Sequence, residues 1–394
     1  MTGKQFLLVL VALAVLVAAG LALQSRKQAS YQAPDTRVGQ RLVEGFKVDD
    51  VATIDIVEPK ATVTLVRGER GWTVKERGDY PADLEPIRDL LLKLHEIKVV
   101  QAEGLSDVIK PRLQLAAPDA GAKPEETGTL VELKGRDGKA VARLVLGKKT
   151  VREMKMPGLP MDGVPSGRYV WVAADPQRVN VVNEAFGNVL AKPEQWLAKE
   201  LMRFERPKSI ATFGPDGKEK WSVAKDKEDA EWKLAGPGPL DLQKAYDASS
   251  ALYALQIADA APGVSDADAG LDHPTTVRAA TFEGWTYELK IGKPAPDNRY
   301  YVRSSVTGTV PEARKAPGDE KAEDKEKADK AFADQKEALT AKLAREQAVA
   351  GRTVLVAKTA VDPLLRDRGE LIKVDKPKDA KDARGAKGAK GAKK

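Results

Sequence analysis

The two histidines of the chain, His95 and His273, are the first candidates for acid–base or metal chemistry. His95 lies in an apolar helical pattern, and His273 stands between Asp272 and Pro274. Neither has a nucleophile or a second ligand at the spacing of a catalytic triad or a zinc site. Both are interpreted as structural or surface residues, and the sequence predicts no catalytic residue and no enzymatic activity.

An acidic cluster, Asp266, Asp268 and Asp272 with Gly270 between them, is the second candidate. Oxygen ligands at alternate positions around a glycine are typical of calcium loops, which close with a bidentate Glu at the twelfth position. Val277 occupies that position here. A solvated turn is the favoured interpretation and calcium the alternative, so the sequence predicts no metal site and no cofactor.

Cysteine is absent, which excludes disulfides, thiolate metal sites, thiol catalysis and lipid attachment at an N-terminal Cys. No P-loop, nucleophile elbow or zinc-protease motif occurs. The segments GRDGK (135–139) and GPDGK (214–218) are too short for phosphate binding, and their Asp-Gly pairs predict hairpin turns. A hydrolase with scattered carboxylates stays open as an alternative, because the spacing that matters is spatial.

The N-terminus carries an 18-residue run without a polar side chain, residues 6–23, preceded by Lys4. This pattern predicts an uncleaved transmembrane signal anchor, with a cleaved signal peptide as the alternative. Residues 1–5 would be its cytoplasmic end, and the polar residues 24–47 a stalk. The expected location is the inner membrane, as a single-pass protein whose body faces the periplasm or exterior.

The rest of the chain reads as a duplication. Two strand pairs each contain a tryptophan, Trp72 and Trp232, and each pair is followed by a helical pattern and further strands. Alternating apolar and polar residues predict antiparallel sheets with one solvated face. The predicted fold class is α+β: a single transmembrane helix, then two copies of a sheet-plus-helix module at 48–200 and 207–366. The two tryptophans are interpreted as core residues.

The helical patterns also predict which side chains face the core. For residues 84–97 and 240–255, the predicted inner residues are Leu84, Ile87, Leu91, Leu94 and Ile97, then Leu242, Ala245, Tyr246, Ser249, Leu252 and Tyr253.

The second copy has an insertion at 311–350, rich in Ala, Glu, Asp and Lys and nearly neutral. It is found when residues 167–182 are matched with residues 351–365. It predicts either a projecting helix or hairpin arm, or a solvated, partly disordered segment. The C-terminal residues 367–394 are basic and of low complexity, which predicts a disordered tail.

The strands reading VATIDIV (51–57) and TVTLVRGERGWTV (62–74), the turn YPAD (80–83), the loop GLDHP (270–274), and the LKIGK and YYVR strands together resemble the bacterial domain-of-unknown-function 4340 family. The resemblance covers most of residues 48–305 and resumes at Gly351. It implies an envelope accessory protein, of a kind often encoded beside ABC-type transporter permeases and gliding-motility-like auxiliary subunits.

These observations favour a non-enzymatic, membrane-anchored envelope protein whose duplicated domain binds protein partners. The expected partners are an ABC-type permease or auxiliary subunit of a transport or surface-assembly complex, with the lipid bilayer contacted through residues 6–23 and no specific nucleic acid. The first alternative is binding of cell wall or another anionic polymer through the basic tail. The second is the envelope hydrolase already mentioned.

Overall fold

Strands dominate the fold. The structure, a computed structural model, describes residues 37–118, 123–152, 163–253, 255–314 and 322–373. Strands hold 39% of these residues and helices 27%, so the predicted α+β class is wrong and the fold is mainly β. The reason is that each sheet is built from many more strands than the helices that accompany it, nineteen strands against six α-helices in the described residues. The chain divides after Trp196 into two compact units.

The predicted membrane anchor, residues 6–23, lies outside the described residues. Within the described ranges, every helix is too short or too polar to cross a lipid bilayer. The prediction of a transmembrane helix and of a single-pass inner-membrane location is therefore corrected, because no helix among the described residues supports it.

The first unit is built on one nine-stranded sheet in which every neighbouring pair is antiparallel. Its strand order is β4-β3-β2-β1-β6-β7-β8-β9-β5. In chain order, β1 to β9 are Val51–Glu58, Ala61–Gly68, Gly71–Val74, Tyr80–Pro81, Val99–Gly104, Thr129–Gly135, Ala140–Arg152, Val164–Val172 and Arg178–Val182. Helices α1 and α2 are Leu84–Glu96 and Ile109–Arg112.

Helix α1 begins after Asp83, whose carboxylate accepts a hydrogen bond from the Glu85 amide and so caps the first turn. Its predicted inner face is largely confirmed, because Ile87, Leu91 and Leu94 are buried. Leu84 is the exception at 58% exposed. Leu84 is the first residue of the helix, and its side chain extends past the edge of the core. Apolar periodicity does not show where along a helix the contact with the core begins.

The second unit is built on an eight-stranded antiparallel sheet with the order β13-β12-β11-β16-β17-β18-β19-β15, and β10 pairs separately with β14. In chain order, β10 to β19 are Glu200–Met202, Pro207–Phe213, Glu219–Ala224, Lys233–Leu234, Leu255–Gln256, Asp259–Ala260, Thr275–Thr281, Thr286–Ala295, Arg299–Thr307 and Val354–Ala357. Helices α3 to α6 are Leu242–Tyr253, Asp266–Ala269, Ala322–Val349 and Lys358–Leu365.

The inner face of helix α3 differs from the prediction. Ala245 and Leu252 are buried as expected, but Tyr246 and Tyr253 are 43% and 54% exposed. The third buried residue is Ala248. The helix therefore packs on the sheet through small side chains, and the two tyrosines lie along its outer face. Apolar periodicity could not separate these faces, because a tyrosine is compatible with either.

Apart from β4, which has no counterpart in the second sheet, the two sheets share one strand order, and this order identifies equivalent strands. β7 corresponds to β17, β8 to β18, and β9 to β19. Residues 167–172 lie on β8, so their counterparts lie on β18. The predicted match with residues 351–365 placed the counterparts on β19 and is corrected here. The insertion in the second unit therefore corresponds to the short turn between β8 and β9 in the first unit. Residues 153–163 of the first unit are not its counterpart.

A Gly-Lys pair marks the same irregularity in both sheets. The β7/β8 register shifts after Leu146, and the β17/β18 register shifts after Ile291. Gly147 and Gly292 stand at these bulges, where a neighbouring loop crosses the strand. A Cβ atom on Gly147 would lie 2.4 Å from the Leu113 carbonyl oxygen, which explains why glycine is required there.

Several local predictions are confirmed. Trp72 and Trp232 are buried, at 8% and 3% exposure. Segments 135–139 and 214–218 are hairpin turns, in which the Asp137 and Asp216 carboxylates accept a hydrogen bond from the backbone amide two residues on.

The first seven residues of the predicted disordered tail belong to the described structure. Residues 367–373 are ordered and include a short 3₁₀ turn, Arg368–Leu371. Beyond it, the Lys373 amide donates to the Pro239 carbonyl. The remainder of the predicted tail lies outside the described residues.

Candidate functional site: the seat of helix α5

Helix α5 is the main element that the second unit has and the first does not. It contains 28 residues, and the helical alternative for the insertion is thereby confirmed. The segment that leads into it runs alongside the helix: the Arg314 guanidinium donates to Asp329 at 2.8 Å and 3.0 Å, and Lys336 Nζ donates to the Glu312 carbonyl at 3.4 Å. The insertion is therefore an arm with one helical side.

The C-terminal turns of α5 dock on the sheet, and we call this contact the seat. It consists of Lys342, Glu346 and Val349, which are 6%, 5% and 3% exposed and share one face of the helix. Between Asp324 and Ala341 the helix is largely exposed, with Phe332 and Leu339 only half-buried. The seat is unusual because two of its three buried residues are ionisable.

Glu346 is held by two donors from different elements. Its Oε1 atom accepts a hydrogen bond from the Arg203 amide at 2.9 Å, and its Oε2 atom accepts one from the Tyr287 hydroxyl at 3.0 Å. Arg203 follows β10, and Tyr287 lies on β17. The Tyr287 ring is fixed in turn by an edge contact with Phe204, at 5.7 Å between ring centroids.

Lys342 lies one turn before Glu346. Its Nζ atom donates to Glu205 Oε2 at 2.8 Å and lies 5.1 Å from the centre of the Trp285 ring. A buried ammonium needs such partners, because it has left water. The Trp285 indole nitrogen donates to the Thr309 carbonyl at 3.2 Å, which joins the start of the arm to the seat.

The surroundings of Glu346 favour the protonated form of its carboxyl group. Burial raises the pKa of Glu346, and this effect outweighs the hydrogen bonds from the Arg203 amide and Tyr287 and the charge of Lys342, which lower it. Burial, followed by the neighbouring Glu346 carboxylate, raises the pKa of the Tyr287 hydroxyl well above its usual range. Tyr287 is therefore a permanent hydrogen-bond donor, whereas Glu346 can take up or release a proton.

The space around Glu346 limits what this chemistry can do. A shallow depression adjoins the seat and has no room to enclose a water molecule. Glu346 is the only carboxylate that lines it within the described residues, and the other lining residues are Leu201, Met202, Tyr287, Ser304, Ser305 and Val306. Two-carboxylate glycoside hydrolysis needs a second acidic group flanking a substrate, so this geometry suits docking and proton binding better than hydrolysis.

The residues singled out by sequence lie elsewhere. His95, near the end of α1, has its Nδ1 atom 3.1 Å from the Phe46 carbonyl oxygen and makes an edge contact with the Phe46 ring. His273 is exposed. These contacts agree with the structural and surface interpretation of the two histidines.

The acidic cluster is likewise engaged in local contacts. Asp266 accepts two hydrogen bonds from Arg303, and Asp268 accepts one from the Ser265 hydroxyl, which caps α4. Asp272 accepts a hydrogen bond from the His273 amide. Across the described ranges, no three acidic or histidine side chains are grouped so that they could hold a metal ion.

Sequence reasoning missed Glu346 and Tyr287. They are 59 residues apart, and the sheet alone brings them together. The one local signal was that Lys342, Glu346 and Val349 share a helix face with Leu339 and Leu343 close by. The insertion was interpreted as a projecting arm or a solvated segment, and no residue of this face was assigned to a contact.

Replacing Tyr287 by phenylalanine is expected to weaken the seat by about 1–2 kcal/mol, because Glu346 then loses one of its two donors inside the protein. Chemical denaturation at neutral pH measures this. Tyr301→Phe is the control, since Tyr301 is a half-buried tyrosine on β18 away from Glu346, and its effect should stay within about 0.5 kcal/mol. Equal effects of the two substitutions would contradict a role for the Tyr287 hydroxyl.

The part of the chain that matches a known family lies in the repeat and does not include the arm. A family model described as a domain of unknown function, DUF4340, matches residues 72–274, just over half of the 394-residue chain. The match runs from the hairpin Trp72 to the end of the GLDHP loop, and it leaves out α5 and its seat. No curated protein and no solved structure matches the chain. The resemblance expected from the sequence is thus confirmed, and the chain belongs to the DUF4340 family.

Proposed function

We propose that this chain is a non-enzymatic accessory protein that binds a protein partner, and that the arm containing α5 presents the binding surface. The observation that carries the proposal is the arm itself. A 28-residue helix interrupts a hairpin that is short in the first unit, and its seat holds one end in a fixed position.

The surface of the arm supports binding of a protein. From Asp324 to Ala341 the exposed helix spans about 25 Å at 1.5 Å per residue. Acidic and basic side chains alternate along it, which favours pairing with a partner of complementary charge pattern over attraction to a polyanion. The partner class that we propose is a subunit of an ABC-type transport or surface-assembly complex, the class that the family resemblance implies.

Crosslinking in intact cells, followed by mass spectrometry, tests this proposal with three forms of the chain. The first is wild type. The second lacks residues 313–335, with Glu312 joined to Lys336 by a short glycine linker, since these residues are already in contact. The third lacks residues 374–394.

The expected result is a set of partner crosslinks that falls at least about tenfold without the arm and persists without the tail. Crosslinks that survive removal of the arm would contradict its role. Loss of binding only in the third form would instead favour the tail and an anionic polymer. Circular dichroism checks that the shortened chain keeps its sheets.

A further inference from the structure

The seat of α5 depends on charge to an unusual degree. A docked helix normally buries a continuous apolar stripe. Among the helix residues 324–349, whose burial is described, Val349 is the only buried apolar one, and Leu339 and Leu343 are half-buried. Lys342 and Glu346 make the hydrogen bonds of this contact, so the charge state of these two groups affects how firmly the helix is held.

Both protonation states of Glu346 can be satisfied at this site. As a carboxylate, it accepts from the Arg203 amide and the Tyr287 hydroxyl. When protonated, its Oε2–H can donate to the Tyr287 oxygen, and the Tyr287 hydroxyl can turn to the Arg203 carbonyl oxygen, 3.3 Å away. The neutral arrangement keeps these hydrogen bonds and buries no carboxylate charge at Glu346, so it is the better fit to a dry site.

The charged neighbours act in both directions. Lys342, on α5 itself, favours the carboxylate, whereas Glu200, on β10, disfavours it. Glu205 and Glu283 face the adjoining Tyr287 hydroxyl, and Glu205 is paired with Lys342. Burial is the largest influence and leaves the pKa of Glu346 above its ordinary value when the helix is docked.

We propose that the seat of α5 is a proton-controlled latch, in which proton uptake by Glu346 tightens the docking of the helix and proton release loosens it. The direction follows from linkage. The docked state binds the proton more tightly than the undocked state, in which Glu346 returns to an ordinary pKa near 4.5. Docking is therefore firmest at and below that pH, and it weakens as pH rises through the docked value.

The latch has a consequence for binding that rests on the proposed function: a loosened seat would present the arm to a partner in a different way. The latch itself does not require a partner. Its test therefore uses the full-length chain alone, and its failure would leave the crosslinking result untouched.

Hydrogen exchange of backbone amides in residues 342–350 measures the latch directly. Rates are corrected for the intrinsic pH dependence of exchange and expressed as protection factors between about pH 4 and about pH 8. Glu346→Gln is the informative variant, because the amide keeps the shape of the protonated acid and cannot ionise. Glu337→Gln is the matched control, since it removes an exposed carboxylate from the same helix.

In the wild type and in Glu337→Gln, protection of residues 342–350 should fall across this range, by about tenfold for each unit by which docking raises the pKa. In Glu346→Gln it should stay constant and equal the wild-type value at the acidic end. Constant protection in the wild type would overturn the proposal, and so would an unchanged slope in Glu346→Gln. Should Glu346→Gln fail to fold, a direct NMR titration of the Glu346 carboxyl group decides: an ordinary pKa overturns the latch, and a raised one supports it.

Discussion

Gly292→Ala is expected to destabilise the second unit by about 3 kcal/mol, because the added methyl group would overlap backbone that cannot move aside. Its Cβ atom would lie 2.1 Å from the Ala269 carbonyl oxygen and 3.1 Å from the carbonyl carbon. The loop at Ala269 is held against β17, since Lys293 Nζ donates to the Ala267 carbonyl at 2.8 Å. Relief of the clash therefore requires the loop and the bulge to separate.

The first unit repeats the arrangement, and Gly147→Ala should act in the same way there. The Lys148 amide donates to the Leu113 carbonyl at 2.8 Å, so the crossing loop is again bonded to the strand. Gly104→Ala is the control: a Cβ at this strand position would meet nothing within 4 Å. Denaturation monitored by hydrogen exchange resolves the two units. The close-approach explanation is wrong if Gly292→Ala costs no more than Gly104→Ala.

Exchanging one pair of equivalent core residues should change the two units in opposite directions. Asn180 lies between Val170 and Ala102 on neighbouring strands, and Val354 lies between Val302 and Ala260. The two environments match, and both central residues are fully buried. In the described part of the chain, neither polar atom of the Asn180 side chain has a hydrogen-bond partner.

Asn180→Val should therefore stabilise the first unit by about 1–2 kcal/mol, since it removes a polar group buried without compensation. Val354→Asn should destabilise the second unit by about 3 kcal/mol, because it buries an amide group without hydrogen-bond partners and loses an apolar contact. Urea denaturation of the two variants provides the measurement, and each serves as the control for the other. A destabilising Asn180→Val would show that the amide has a necessary partner.

Local chemistry was predictable wherever a few neighbouring residues determine the outcome. The hairpin tryptophans Trp72 and Trp232 and the Asp-Gly turns are of this kind, because alternation and turn residues act over short distances. The family was identified for the same reason, since its motifs are strands and turns.

Errors arose where the outcome depends on distant parts of the chain. Residues 167–172 and 351–357 both begin with Gly-Arg, and this likeness hid the fact that they form neighbouring strands of the module rather than equivalent ones. Tyr246 was assigned to the core because periodicity does not show how close a helix comes to its sheet. Glu346 was missed because its environment comes from β10 and β17.

The position of the arm has a consequence for how this module can diversify. β18 and β19 are adjacent antiparallel strands, and beyond their pair Val302 and Val354 the Gly351 amide donates to the Ser304 carbonyl at 2.9 Å. The chain on the two sides of the insertion is therefore held one strand spacing apart at this point, about 4.8 Å. Any segment whose two ends lie close together can be inserted there without altering the strand order. In the first unit this connection consists of the five residues between Val172 and Arg178, and in the second unit it contains the arm. The hairpin is therefore a natural point for grafting a foreign binding element, with the rest of the sheet serving as an inert frame.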